Sequence, residues 1–242
     1  EQLRAALKEA GKLPAHQRLT ASALHTLGLV LHRQGRYLEA YPLLVEALET
    51  AKRLPALKCS EEVNLLSSLG ANHHERGSYE AAEDAYRRAS ARAREGCQED
   101  MTAKAVALNN LATLAFSCAH YEDAESLYRE ALPGYQVAYG AEHLRTTIVE
   151  ENLGRVDQAR GRYDEAEALY RKVLETRESK LGYHHPDVAR TLIHLAELHN
   201  LEKDPSKAEM EARRALLIAE RSQQSEPVVA AALISLANSL RL

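Results

Sequence analysis

The 242-residue chain contains no tryptophan and a single phenylalanine, so a large aromatic core is not available to it. Thin layers of helices need no such core. Proline is scarce at seven residues, and the sequence between the prolines is rich in Ala, Leu, Glu and Arg, which are strong helix formers. No apolar run reaches the roughly 18 residues that a membrane-spanning helix requires, so no membrane partner is expected. The opening EQLRAALKEAGKL is amphipathic and lacks the apolar block of a signal peptide. Its first residue is not Met, which predicts a fragment or a processed chain. A dominant charge is missing as well, since 31 basic and 35 acidic residues leave a net charge of -4. Nucleic-acid binders carry a basic face and a basic total, so nucleic acid is not expected as a partner. The three cysteines, Cys59, Cys97 and Cys118, match no metal spacing and form no close pair. They predict free thiols in a reducing compartment, and with it a cytoplasmic location.

Chemistry-bearing motifs are equally sparse. There is no phosphate-binding glycine loop and no nucleophile elbow. Of the 11 histidines, His73 and His74 are adjacent and point apart, while His184 and His185 lie in a link. His25 and His32 are seven apart and so share a helical face, but no Cys or acid stands at a matching spacing. Acid-rich stretches such as YEAAED and YDEAEAL predict solvated helix faces. The expectation is therefore no enzyme, no cofactor and no metal.

What the sequence does have is a repeat. Tyr37, Tyr79, Tyr121 and Tyr163 stand 42 residues apart, inside GRYLEA, GSYEAA, AHYEDA and GRYDEA, with KDPSKA as a fifth, degenerate copy. An Ala follows each of these positions by three residues. A Leu precedes each by ten (Leu27, Leu69, Leu111, Leu153, Leu195) and is itself followed by Gly or Ala. Leu24, Leu27 and Leu31 make one face of a helix. The small residue after the Leu, and the Ala of the Y-x-x-A step, let two helices approach closely. Gly35, Gly77 and Gly161 fall just past the first helix, where a left-handed cap residue is wanted.

Each unit thus reads as helix A, a tight turn, helix B and a longer link. Neither helix buries its stripe alone, and stacking the hairpins completes the core. The predicted fold is all-α, a right-handed solenoid of antiparallel helical hairpins with about twelve helices. Residues 1–16 read as a B helix of a preceding unit. Hairpins follow at 17–58, 59–100, 101–142, 143–184 and 185–225, then a terminal A helix at 226–242. Pro133 predicts a bend or early stop in the third B helix.

The L-x-x-L-[GA] and G-x-Y-x-E-A patterns resemble tetratricopeptide repeats. The 42-residue period, LNNLA (108–112) and LYRKVLETRESKLGYHHPDVARTL (169–192) resemble the longer repeats of kinesin light chains and related bacterial arrays. HEAT and armadillo repeats share the period range but not the turn motif. The resemblance implies a protein-interaction scaffold whose A helices line a concave groove for a partner's peptide or helix. It implies groove positions at Asn110 and Asn152, whose amides both donate and accept hydrogen bonds. It also implies roles for Asn109, Thr113, Ser68, His194, Arg155 and Arg190. The alternative is a regulatory or self-associating segment of a larger protein, with self-association through the terminal helices. In the fourth unit, Glu150 and Asp157 occupy positions that are apolar elsewhere. Arg155, Arg160 or Arg190 are the expected partners of these acids, since an unpaired buried charge is costly.

Overall fold

The computed structural model describes residues 16–54, 56–97, 100–221 and 226–241. These residues form α-helices and no strand: α1 (Gln17–Arg33), α2 (Tyr37–Lys52), α3 (Cys59–Glu75), α4 (Tyr79–Gly96), α5 (Met101–Ser117), α6 (Tyr121–Tyr139), α7 (Leu144–Ala159), α8 (Tyr163–Leu181), α9 (Pro186–Leu201), α10 (Pro205–Arg221) and α11 (Glu226–Ser239). Eleven helices are therefore described; the helix expected within 1–16 lies outside the described residues. The chain divides into two compact units, one up to His120 and one from Tyr121 onward.

In the first unit, α1 packs against α2 and α3 against α4, and α5 closes on α3 and α4. In the second, α6 packs on α7, α7 on α8, α9 on α10, and α11 on α9 and α10. The repeated residues explain the hairpins. Tyr37, Tyr79, Tyr121 and Tyr163 each begin a B helix. The preceding turn carries a residue with positive φ at 35, 77, 119, 161 and 203, and three of the five are Gly. The small residue of each A helix is where the paired B helix presses in. A Cβ on Gly70 would lie 2.6 Å from the Tyr86 ring, and one on Gly154 would lie 2.7 Å from the Tyr170 ring. Where the A helix carries Ala196, the corresponding B-helix residue is Ala212 rather than Tyr, and both are fully buried.

The core is built of Ala, Leu and buried Tyr. Leu44, Tyr128 and Tyr170 are almost wholly enclosed, and each contributes roughly 1.5–3 kcal/mol by leaving water. Tyr170 keeps its hydroxyl satisfied by donating to Gln158 Oε1 at 3.0 Å. Two A helices of the second unit, α7 and α9, are started by histidine. His143 and His185 Nδ1 accept from the backbone N–H of Arg145 and Asp187, each at 3.1 Å.

Two expectations are corrected. Pro133 does not stop its helix, because α6 runs unbroken from Tyr121 to Tyr139 with Ala131 and Gly134 buried on either side of it. Burial on both sides holds the segment helical despite the missing N–H. Cys59 and Cys97 are not free thiols. They form a disulfide with Cα atoms 5.5 Å apart, leaving Cys118 as the free cysteine. Helices α3 and α4 are antiparallel and of similar length, so the first residue of one meets the residue after the last of the other. A sequence separation of 38 is thus a spatial neighbourhood. The ground for expecting a reducing compartment is removed with it.

Candidate functional site

Each unit has its own candidate face, formed by its A helices: α1, α3 and α5 in the first unit, and α7, α9 and α11 in the second. In the second unit a recess of about 560 Å³ opens on this face. Ile148, Ile193, Val228 and Ala231 supply its apolar lining, and Glu151, Asn152, Arg155, Arg190, His194 and Glu197 its polar one. Four residues expected at the groove, Asn152, Arg155, Arg190 and His194, are therefore brought together. His194 is fixed by stacking on the Tyr170 ring, 5.5 Å between centroids, and its Nδ1 lies 3.7 Å from Glu197 Oε2. The α11 residues Val228 and Ala231 were not expected; an apolar helix residue carries no sign of lining a recess rather than a core.

Glu151 is the anchor beneath. It is buried and forms a bidentate ion pair with Arg177 of α8, through Nη1 to Oε1 and through Nη2 to Oε2 at 3.0 Å. Arg177 is itself only 2% exposed and donates to Thr191 Oγ1 at 2.6 Å and to the Asp187 carbonyl at 3.3 Å. Arg190 reaches Glu151 at 3.6 Å and Asp187 Oδ1 at 3.1 Å. Burial pushes the Glu151 carboxyl up. The hydrogen bonds and charge of Arg177, with His194 and Arg190 behind it, outweigh that and hold it below the usual carboxylate range.

The unusual acids of α7 have partners other than those expected. Glu150 is paired by Lys172 Nζ at 2.6 Å. Asp157 is paired by Arg162, whose Nε donates at 2.9 Å. Arg160 turns instead to Glu122 and Glu125 of α6. Each buried acid is thus paired with a base, Glu150 through Oε1 alone, its Oε2 being buried without a hydrogen-bond partner among the described residues.

In the first unit the A-helix residues are tied to each other. His25 Nε2 and Ser68 Oγ share a hydrogen bond of 2.8 Å between α1 and α3, and Ser68 also donates to the Asn64 carbonyl at 2.8 Å. Burial lowers the His25 pKa, so its ring is neutral near pH 7. His25 and His32 do not converge, since His32 packs edge-on against Tyr37 at 5.0 Å. Asn109 and Asn110 are half-buried on α5. Thr113 Oγ1 donates to the Asn109 carbonyl at 2.9 Å, while the Asn109 side-chain oxygen is buried without a hydrogen-bond partner. A smaller recess of about 140 Å³ includes Ser22, His25 and Asn64 in its lining.

Hairpins with Gly or Ala under a B-helix ring, a Tyr opening helix B and polar residues on the A face define a repeat scaffold of tetratricopeptide type. The tetratricopeptide repeat model matches residues 19–95, 104–179 and 146–221, and the chain belongs to that family. Among solved structures it is similar to BtubC (BKLC) from P. vanneervenii, at 25% identity over 93% of this chain and 91% of that one, with a TM-score of 0.79. It is similar in fold to the Podosopora anserina repeats described as kinesin-light-chain, TPR-like, at 17% identity over 87% of this chain and 99% of that one, TM-score 0.70. It is also similar in fold to the Rap conjugation gene regulator of plasmid pLS20, solved in complex with the Phr* peptide, at 14% identity over 91% of this chain and 64% of that one, TM-score 0.66. No curated protein matches the chain in sequence. No helix among the described residues is long and apolar enough to cross a membrane.

Proposed function

We propose that this chain is a non-catalytic scaffold that captures a peptide or helix of a partner protein on the A-helix face. The observation that carries the reading is the recess of about 560 Å³ in the second unit. Its apolar lining suits an inserted aliphatic side chain. Asn152 offers a donor and an acceptor to a passing backbone, and Arg155 and Arg190 offer positive charge to an acidic flank. Arg177 neutralises Glu151 from below, which leaves Glu197 as the one acid of the lining beside Arg155 and Arg190. The peptide complex of the Rap regulator supports the reading at the level of the fold. Asn110, Asn109, Thr113 and Ser68 are assigned to the same role on the first unit's own A face.

A peptide array probed with the purified chain tests this. Asn152→Ala and Arg190→Ala, both on the α7 and α9 surface, are expected to weaken the hits at least tenfold with an unchanged helical circular dichroism spectrum. Asn110→Ala combined with Asn152→Ala is expected to abolish them. Hits that survive all three variants would overturn the assignment of the A-helix face.

A further inference from the structure

We infer that Glu167, His199 and Glu202 form a binding site for a divalent transition-metal ion of the zinc type, separate from the peptide-capturing face. One ligand atom of each residue lies within 4.8 Å of the other two. Glu167 projects from α8, His199 from the last turn of α9, and Glu202 follows directly after α9.

The histidine carries the argument. Its side chain is 0% exposed. Nδ1 lies 3.2 Å from the Leu195 carbonyl. A carbonyl only accepts, so Nδ1 holds the hydrogen and the neutral ring keeps its lone pair on Nε2. Nε2 has no hydrogen-bond partner among the described residues. It faces Glu167 Oε1 at 3.5 Å, an acceptor opposite an acceptor. Glu167 Oε1 already accepts from Arg171 Nε at 2.7 Å, whereas Nε2 is left facing an acceptor, and a cation bound between the two would satisfy it. A ring whose second N–H is anchored on a backbone carbonyl is also the orientation that metal-ligating histidines adopt.

The surroundings favour a cation. Glu167, Glu202, Asp204 and Glu211 face His199 against Arg171 and Lys207. Arg171 holds Glu167 through Oε1 alone, from a side chain 48% exposed, and lies 3.6 Å from Glu211 Oε1. Tetrahedral ligand atoms stand about 3.4 Å apart at zinc bond lengths of about 2.0–2.1 Å. The cluster therefore has to close by up to about 1.4 Å at its widest. One imidazole and two carboxylates suit zinc and leave a fourth position for water. The spacing of 32 residues between Glu167 and His199 hides the site from any local motif.

The test is titration of chelator-stripped protein with Zn²⁺ by calorimetry and with Co²⁺ by visible absorption. One equivalent is expected to bind, with the intense ligand-field bands of tetrahedral Co²⁺. Glu202→Gln, a change at a partly exposed turn, is expected to weaken binding at least tenfold, and His199→Gln to remove the bands. If His199→Gln fails to fold, Glu202→Gln and the shift of the His199 ring Nε2 resonance on Zn²⁺ addition decide the matter. Absence of saturable binding, or binding unchanged in Glu202→Gln and therefore held by other histidines, would overturn the site.

Discussion

At the scale of single residues, the hairpin turn is the most regular device in the molecule. In all five turns the backbone N–H of one residue donates across the turn to the carbonyl five positions earlier: Arg36 to Leu31, Ser78 to His73, His120 to Ala115, Arg162 to Asp157 and Asp204 to His199. The bond closes only if the intervening residue adopts positive φ. Gly does so freely, whereas Ala119 and Lys203 adopt φ of 60° and 61° at a cost. Lys203→Gly is therefore expected to stabilise the chain by about 0.5–1 kcal/mol, the left-handed penalty less the extra entropy of glycine in the unfolded chain. A urea midpoint that falls in this variant would show that the lysine turn is not strained. The opposite substitution is costly within α3. Gly70→Ala drives a Cβ into the rigid Tyr86 ring rather than into a flexible chain. It is expected to cost about 1–3 kcal/mol in the same measurement.

At the scale of elements, α7, α8 and α9 are locked by charge as well as by apolar packing. The Glu151–Arg177–Thr191 network takes one residue from each helix. Removing one member leaves a buried charge alone, so Arg177→Met is expected to destabilise by about 3–5 kcal/mol. Pairing it with Glu151→Leu is expected to recover most of that loss, because the two apolar side chains then fill the space together. The pH dependence follows from the same pair. The Glu151 carboxyl sits below its unfolded value of about 4.3, so its contribution is complete above that pH and is lost as pH falls through the lower folded value. The parent chain should therefore lose more stability between pH 7 and pH 3 than the double variant, read from thermal unfolding at each pH. Equal losses would remove Glu151 as the acid-sensitive group. Glu150 and Asp157 were visible in the sequence as breaks in an apolar pattern. The ion pairs were not, since Lys172 lies 22 residues from Glu150 and Arg177 lies 26 from Glu151. A periodic pattern identifies the face a residue occupies, while its partner depends on how the next helix is set against it.

At the scale of the whole molecule, what was legible is what repeats. The period, the helix starts at Tyr37, Tyr79, Tyr121 and Tyr163, and the small residues beneath the B-helix rings all follow from many copies of one local rule. Features that occur once do not announce themselves, such as the recess residues Val228 and Ala231 or the Glu167–His199–Glu202 cluster. The disulfide is the sharpest case. Cys59 and Cys97 occupy one hairpin only, so no second copy marks them as a pair. The physical consequence is that the first unit carries a covalent constraint that the second does not. Closing a loop of 38 residues removes unfolded-state entropy worth at most about 4 kcal/mol. Reduction is therefore expected to weaken amide-exchange protection in α3 and α4 by a corresponding 2–4 kcal/mol, while protection in α8 and α9 stays constant. Cys59→Ser with Cys97→Ser should reproduce the effect without reductant, and Cys118→Ser should not. Protection in α3 and α4 that is unchanged by both treatments would mean that the antiparallel packing of the hairpin, with Val63, Ala89 and Ala93 buried along its seam, holds the first unit without help from the crosslink.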